Sequence, residues 1–204
     1  MSAVPDKIDA EGIRRALQGA IFGHEVIVLA ETTSTNDEIV RLIDHASEGV
    51  VVFAEKQTAG RGQRGNYWES VAGKGLWFST LLIPEIDVRE SAAVTAWAAR
   101  AIVLALHEAF GIEAKVKFPN DIYVDSRKLG GVLVELRARP GSAHIAILGI
   151  GINVNHTLAD FSESLRRRAT SLALELGRSL SRNEVSIAML RVMETSYPFR
   201  KSTD

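Results

Sequence analysis

The sequence predicts a single α/β domain. Short, largely apolar segments that read as strands alternate along the chain with longer segments that read as helices, some of them with capping residues. The 204 residues are one domain's length, and a hydrophobic content of 46% is ample for a core. The chain has 24 basic and 25 acidic side chains, so charge alone favours neither DNA nor an anionic membrane as a partner.

The N-terminal half is predicted to contain two helices and three strands. They are a helix, a strand, a helix and two strands, over residues 9–18, 25–31, 35–44, 50–54 and 76–82. Thr35 and Glu38 have the spacing of a capping box at the start of the second helix. About twenty residues separate the last two strands, and a connection of that length in a compact domain is usually functional or disordered.

The C-terminal half begins with the most apolar segment, residues 92–106. It is shorter than the roughly twenty residues of a membrane span, so we expect a core helix, with Asp87 and Glu90 as a capping pair and Gly111 as its stop. Three strand segments and a last helix follow, over residues 115–124, 130–136, 144–153 and 183–197. Pro119 interrupts the first of these strands, where we expect a bulge.

The long connection is rich in glycine and arginine between Gly60 and Trp68. Glycines let backbone N–H groups approach an anion closely, and Arg61 and Arg64 add fork-shaped donors, so the segment is typical of a loop that covers a phosphate or carboxylate. Seen alone, it is equally typical of a mobile glycine-rich surface loop.

The interrupted strand gathers polar side chains at one end of a hairpin. Lys117, Asn120, Asp121 and Lys128 are either an exposed polar turn or a cation cluster that faces phosphate. In the second case, Asp121 is available to Mg²⁺.

Other classes of site find little support in the composition. The chain has no cysteine, and its five histidines show no i, i+4 pairing, which argues against thiolate catalysis and against a zinc site. Residues 1–17 have scattered charges and no apolar segment, so we find no signal peptide and expect a cytoplasmic protein.

Taken together, the motifs resemble those of the biotin protein ligases. The resemblance extends over residues 25–195 and consists of six ordered elements, Ser34-Thr35-Asn36, Gln57 with Gly60 to Trp68, Lys117 to Asp121, Lys128 with Gly131 and Glu135, Gly149 to Asn153, and Ala169 to Leu172. It implies the α/β fold that these enzymes share with lipoate ligases and octanoyl transferases. In that class II synthetase-like fold, helices pack on a mixed, largely antiparallel sheet.

The resemblance also implies a reaction and roles for individual residues. Biotin is activated by ATP, with Mg²⁺, to biotinyl-5′-AMP and is then transferred to a lysine of a biotin carboxyl carrier protein. The implied catalytic residues are Lys128, Arg61 and Asp121. Those implied to bind biotin are Ser34, Thr35, Asn36, Gln57, Gly60, Arg61, Gly62, Gln63, Lys128 and Gly131. Those implied to bind ATP are Arg64, Trp68, Lys117, Asn120, Asp121 and Asn153, and Asp121 is the candidate contact for the metal.

Two positions depart from the family pattern. Gln63 stands where the family commonly has arginine, and Phe118 where it commonly has tryptophan. We expect residues 1–204 to form one catalytic domain, without the winged-helix DNA-binding domain of repressor-type ligases and with the small C-terminal barrel absent or truncated. The resemblance leaves monomer and homodimer open. A lipoate or octanoate ligase and a non-catalytic protein that binds biotin or the carrier remain alternatives.

Overall fold

The computed structural model describes residues 6–84, 91–137 and 144–200. These described residues form five α-helices, α1 Ala10–Ala16, α2 Thr35–Leu42, α3 Ser91–Phe110, α4 Leu172–Leu176 and α5 Arg182–Ser196. They also form seven strands, β1 Val26–Leu29, β2 Val51–Ala54, β3 Gly75–Leu82, β4 Lys115–Lys117, β5 Asp121–Val124, β6 Arg127–Arg137 and β7 Ile145–Asn153.

All seven strands belong to one mixed sheet. Their spatial order is β1-β2-β3-β7-β6-β5-β4. The β1 and β2 strands are parallel, and the other neighbours are antiparallel. Antiparallel neighbours can be joined by short turns, and β4, β5, β6 and β7 are consecutive along the chain. The neighbours β3 and β7, by contrast, come from distant parts of the chain.

One face of the sheet is covered by α1, α3 and α5 and forms the main core. Side chains from α3, including Val94, Ala98 and Ile102, pack there against strand residues such as Phe78 and Ile150. Residues 92–110 of α3 are long and apolar enough to cross a membrane by length and composition alone. The helix instead packs against α5 and β6, as the core helix of a folded domain does.

The other face is only partly covered. Helix α2 places Ile39 against Val52, Leu81 and Ile147 in a small second cluster. Because strand side chains alternate between faces, the neighbours of Phe78 on β3 point to this second side. The part of this face left open by α2 becomes the floor of a cleft.

The observed elements correct three expectations. Residues 115–124 do not form one bulged strand, because β4 and β5 are antiparallel and Lys117 pairs with Asp121 across a turn. The first residue before α2 is Ser34 and no side chain caps the helix, so the capping box of Thr35 and Glu38 does not form.

The third correction is an additional helix, α4. It begins after Ser171, and the Ser171 hydroxyl caps it by accepting a hydrogen bond from the Leu174 amide. At the end of α3 the expectation is confirmed, and α1 and α5 each begin at a side-chain cap. Asp9 caps α1, Gly111 follows α3 with a φ of 68°, and Ser181 caps α5 by accepting from the Glu184 amide. The expected capping pair Asp87 and Glu90 lies outside the described residues.

Candidate active site

A cleft of about 260 Å³ opens on the second face of the sheet, between α2, the loop of residues 55–74 and the β4-β5-β6 hairpins. We call residues 55–74 the lid loop. The cleft, the first pocket, brings together most of the side chains singled out in the sequence: Ser34, Thr35, Asn36, Gln57, Arg61, Gly62, Gln63, Arg64, Trp68, Asn120, Asp121, Lys128 and Gly131.

Neutral hydrogen-bonding groups form the deep end of the first pocket. The Gln57 carbonyl oxygen accepts from the backbone amide of Thr35 at 2.9 Å, and the Ser79 hydroxyl donates to Asn36 Oδ1 at 2.6 Å. Asn36 Nδ2 donates to Glu135 at 2.7 Å. The position of Asn36 requires glycine at residue 149, because a Cβ there would lie 2.3 Å from Asn36 Oδ1.

The lid loop is anchored at its base and folds over the pocket. At the base, the Thr58 amide donates to the Thr32 carbonyl and the Thr32 amide donates to the Lys56 carbonyl. Further along, the Gly62 amide donates to the Asn66 carbonyl and the Trp68 amide to the Gly60 carbonyl. The Trp68 indole lies against β7, where a Cβ on Gly151 would lie 2.8 Å from the ring. The absence of a side chain at position 151 therefore allows Trp68 of the lid loop to pack directly on the sheet.

Lys128 reaches the cleft through an irregularity in β6. Lys128 and Gly131 are three residues apart, so a regular strand would point them to opposite faces. The β5–β6 register shifts between Ile122 and Tyr123, however, and both residues line the first pocket. Lys128 Nζ lies 2.7 Å from Asp121 Oδ1 and 5.4 Å from the centre of the Trp68 ring.

A second pocket of about 140 Å³ adjoins the first and shares Tyr67, Trp68 and Lys128 with it. Its walls come from residues 153–169, together with Tyr123 and part of the lid loop. Aromatic side chains dominate: His156 stacks on Phe161 at 5.1 Å between ring centres and meets Trp77 edge-on at 5.9 Å. Lys128 thus lies where the two pockets meet.

Two of the residues that line the second pocket, Trp68 and His156, each have a buried ring nitrogen, Nε1 and Nδ1 respectively, without a hydrogen-bond partner in the described ranges. Buried polar atoms are normally hydrogen-bonded, so such atoms indicate a place for a ligand or water. Burial lowers the pKa of His156 to about 4 from an ordinary value of 6.5. The imidazole is therefore neutral at pH 7.

Arg61 contacts carboxylates in this structure. It forms a two-point pair with Asp37, at 2.8 and 3.0 Å, and lies 3.2 Å from Glu135. The hydrogen bond from Arg61 holds the pKa of the Asp37 carboxyl below its usual range. No ion pair is recorded for Arg64 within the described ranges, and its backbone has a φ of 58°.

Three of the expected site residues do not line the first pocket. Gly60 lies beneath it, where a Cβ would meet Gln57 and Trp68. Asn153 lines the second pocket, and its amide donates to the Thr170 carbonyl at 3.0 Å. Lys117 is exposed on β4, with Nζ 4.9 Å from the ring of Tyr123.

Asn120 has a structural partner. Its amide donates to the Val132 carbonyl at 3.0 Å, and the Val132 amide returns a bond to its backbone oxygen. The ligand-binding roles of these residues stay predictions.

The sequence did not reveal four contributions to the cleft. Asp37 pairs with Arg61, Ser79 donates to Asn36, and the missing side chains of Gly149 and Gly151 leave room for Asn36 and Trp68. Ser79 left a signal, since it is a polar residue within an otherwise apolar strand. Gly149 and Gly151 belong to one of the six motifs, but their partners Asn36 and Trp68 are distant in sequence. Asp37 left no signal beyond its place in the first turn of a helix.

A metal site built from protein side chains is not evident. In the part of the chain that the structure describes, no group of three or more histidine, aspartate or glutamate side chains could hold an ion. Mg²⁺ is commonly held by one or two protein carboxylates together with substrate phosphates. Asp121 in the first pocket is a carboxylate that fits this kind of site.

Comparison with known proteins agrees with this geometry. The model of the biotin/lipoate A/B protein ligase family matches residues 26–153. The bifunctional ligase/repressor BirA of Bacillus subtilis is 37% identical over 196 residues, covering 95% of this chain and 60% of that protein. The biotin–[acetyl-CoA-carboxylase] ligase of Mycobacterium tuberculosis is 32% identical over 195 residues, covering 92% of this chain and 70% of the relative.

Solved structures show the same fold. The biotin protein ligase from Aquifex aeolicus in complex with biotin and ATP has a TM-score of 0.72 and 34% identity, over 84% of this chain and 69% of that chain. The expected mixed, largely antiparallel sheet with packed helices is thereby confirmed. The chain spans about 60% of the length of the BirA proteins from Bacillus subtilis and Escherichia coli.

Proposed function

Because the chain belongs to the biotin/lipoate A/B protein ligase family, we propose that it is a biotin protein ligase. It activates biotin with ATP to biotinyl-5′-AMP and transfers the biotinyl group to a lysine of a biotin carboxyl carrier protein. The observation that carries the proposal is the position of Lys128 at the junction of two pockets. A ligase that joins two small molecules needs its cation at such a junction.

The first pocket suits biotin. Its deep end offers amide and hydroxyl groups from Thr35, Asn36 and Gln57, which can donate to and accept from the ureido ring without a net charge. Its walls include the apolar side chain of Leu133 and the ring of Trp68, which suit the sulfur ring and valeryl chain. A carboxylate at the end of that chain would point toward Lys128.

The second pocket suits the nucleotide. The rings of Trp68, His156 and Phe161 provide flat apolar surfaces for a purine, and Arg168 lies at the margin, where phosphates would be exposed. When bound, Mg²⁺ would offset phosphate charge and help pyrophosphate leave, with Asp121 as the protein group within reach.

In the first reaction step, a biotin carboxylate oxygen attacks the α-phosphorus of ATP and the bond to pyrophosphate breaks. Two anions must meet, so the ammonium of Lys128 stabilises the charge that develops between them in a site from which the lid loop excludes water. Lys128 is held by Asp121 at 2.7 Å and by the face of Trp68, which keeps its position at the junction.

In the second step, a carrier lysine amine attacks the acyl carbon of biotinyl-AMP and AMP leaves. The amine must lose a proton to attack and another after the bond forms. Asp121 is the carboxylate nearest the junction and can accept one of them.

The test is a pyrophosphate-release assay with ATP and biotin, lipoate or octanoate in parallel, followed by mass spectrometry of a biotin carboxyl carrier domain. We expect release with biotin and a mass increase on one carrier lysine. Release with lipoate or octanoate alone would assign the chain to the other branch of the family. Biotin binding without release would indicate a non-catalytic binding protein.

A further inference from the structure

Arg61 connects three elements that are far apart in the sequence. It belongs to the lid loop, Asp37 lies in the first turn of α2, and Glu135 lies on β6. The guanidinium forms two parallel bonds with Asp37 and a third contact with Glu135. Two-point arginine–carboxylate pairs are the most directional ion pairs in proteins.

The charges around Arg61 leave little attraction for a further anion. One guanidinium faces two carboxylates, so a ligand carboxylate bound to Arg61 would bring a third negative charge within a few ångströms. Lys128 is also paired, but with Asp121 alone. Within the described ranges, Arg64 has no recorded ion pair and lines the same pocket, so it is better placed than Arg61 to receive an anion.

Glu135 extends the contact to the deep end of the pocket. Its Oε2 atom accepts from Asn36 Nδ2 at 2.7 Å and from Arg61 at 3.2 Å. Asn36 is in turn fixed by Ser79. The position of the lid is therefore coupled, through one carboxylate, to the side chain expected to read the biotin heterocycle.

We propose that Asp37, assisted by Glu135, is a positioning residue that holds Arg61 and with it the lid loop across the first pocket. In this proposal, Arg61 holds the lid loop in place and does not bind the ligand carboxylate, which differs from the role that the family resemblance implies. The part of this proposal that concerns biotin rests on the function proposed above, whereas the part that concerns the free protein does not.

The first measurement is hydrogen exchange in the protein without ligand. The reporters are the amides of Gly62 and Trp68, which are bonded within the lid loop, and the amide of Thr58 at its base. In Asp37→Asn, we expect Gly62 and Trp68 to exchange about threefold to tenfold faster, the range for a partly exposed ion pair, and Thr58 to be unchanged.

The matched control is Glu38→Gln. Glu38 is the next carboxylate in the same first turn of α2, but it pairs with Arg41 and Thr32 and not with the lid arginine. Both variants remove one favourable charge from the helix N-terminus, so the difference between them reports the contact with Arg61. Asp37→Glu keeps the carboxylate and should restore most of the protection. Equal exchange of Gly62 and Trp68 in the wild type and Asp37→Asn would overturn the proposal.

The second measurement compares the affinities for biotin and for its uncharged methyl ester. If Arg61 fastens the lid, Asp37→Asn weakens binding of both compounds by the same factor, mainly through faster dissociation. If Arg61 receives the carboxylate, releasing it from Asp37 tightens binding of biotin alone, and the proposal is wrong. A wild-type protein that bound neither compound would refute the proposed function, and the exchange experiment would still decide the role of Asp37.

Discussion

In the proposed function, Lys128 matters because it lies between the two pockets. Its ammonium is paired with Asp121 and lies over the ring of Trp68, which gives it a defined position in the cleft. A cation fixed before the reaction begins costs little reorganisation when charge develops in the transition state.

Replacing Lys128 with alanine should lower the rate of biotin-dependent pyrophosphate release by about 10²–10³, the range for removal of one preorganised stabilising group. The fold should persist, because Lys128 is not part of the core. Lys115→Ala is the control, since Lys115 is an exposed lysine of β4 that lines neither pocket. A Lys128→Ala protein that works at nearly the wild-type rate would show that Lys128 is an ordinary turn lysine.

His156 is the residue whose titration should affect stability most clearly. Its folded-state pKa, about 4, lies below the ordinary value of 6.5, so the unfolded chain binds the proton more tightly. Its contribution is complete above pH 6.5 and is lost as the pH falls to 4, amounting to about 3 kcal/mol in the free energy of unfolding.

Urea unfolding between pH 7 and pH 4.5 tests this. His156→Phe keeps the stacking with Phe161 but cannot titrate, so its stability should fall less steeply over this range than that of the wild type. The same slope in His156→Phe and the wild type would contradict the assignment.

At the scale of elements, β7 shapes the cleft because two of its residues, Gly149 and Gly151, have no side chain on that face of the sheet. Ile150 and Ile152 face the core, and the glycines between and beside them leave room on the other face. Asn36 occupies the space at Gly149, and the Trp68 ring occupies the space at Gly151. One strand thus both completes the core and admits the helix and the lid that form the site.

Gly149→Ala should disable the first pocket while leaving the fold intact. The new Cβ would lie 2.3 Å from Asn36 Oδ1, so Asn36 must move, at a cost of about 1–3 kcal/mol. We expect biotin affinity, measured by calorimetry, to fall at least tenfold. Gly131→Ala is the comparison within the same cleft, since its Cβ would make an ordinary contact at 3.4 Å and should reduce affinity less. Equal affinities in both variants would exclude this role for Gly149.

At the scale of the whole molecule, Arg182 joins the N-terminal segment to the sheet and to α5. Only 1% of its side chain is exposed, and it binds Asp6, Glu55 and the Gly75 carbonyl. Glu55 begins the lid loop and Gly75 follows it. The same guanidinium therefore fixes both ends of the lid loop from the core side.

Arg182→Met should lower the free energy of unfolding by about 3–5 kcal/mol, because it leaves two carboxylates without their buried partner. Urea unfolding at pH 7.5 measures the loss. Arg191→Met is the control on the same helix, since Arg191 is exposed and bonds only to the Ala16 carbonyl among the described residues. A loss no larger than that of the control would mean that Asp6 and Glu55 find other partners or water.

The secondary structure was largely predictable because it depends on local pattern. Apolar patterning located the six predicted strand segments and the long helices, with bounds that differ by a few residues, although one of the six segments comprises two strands, β4 and β5. The turn between β4 and β5 was misread, since Pro119 interrupts a ladder in the same way whether the chain bulges or reverses. Short α4 has too few residues for a periodic signal.

The sequence by itself determined the fold class and the kinds of side chain available to the site, because periodicity and ordered motifs are properties of the linear chain. Only the tertiary structure decided which of them meet. Arg61 and Glu135 are 74 residues apart, and Asn36 and Glu135 are 99 apart. Pairing β3 with β7 brings Gly149 and Gly151 beneath α2 and the lid, and the register shift in β6 turns Lys128 into the cleft. Such contacts depend on the order and register of strands, which local sequence does not encode.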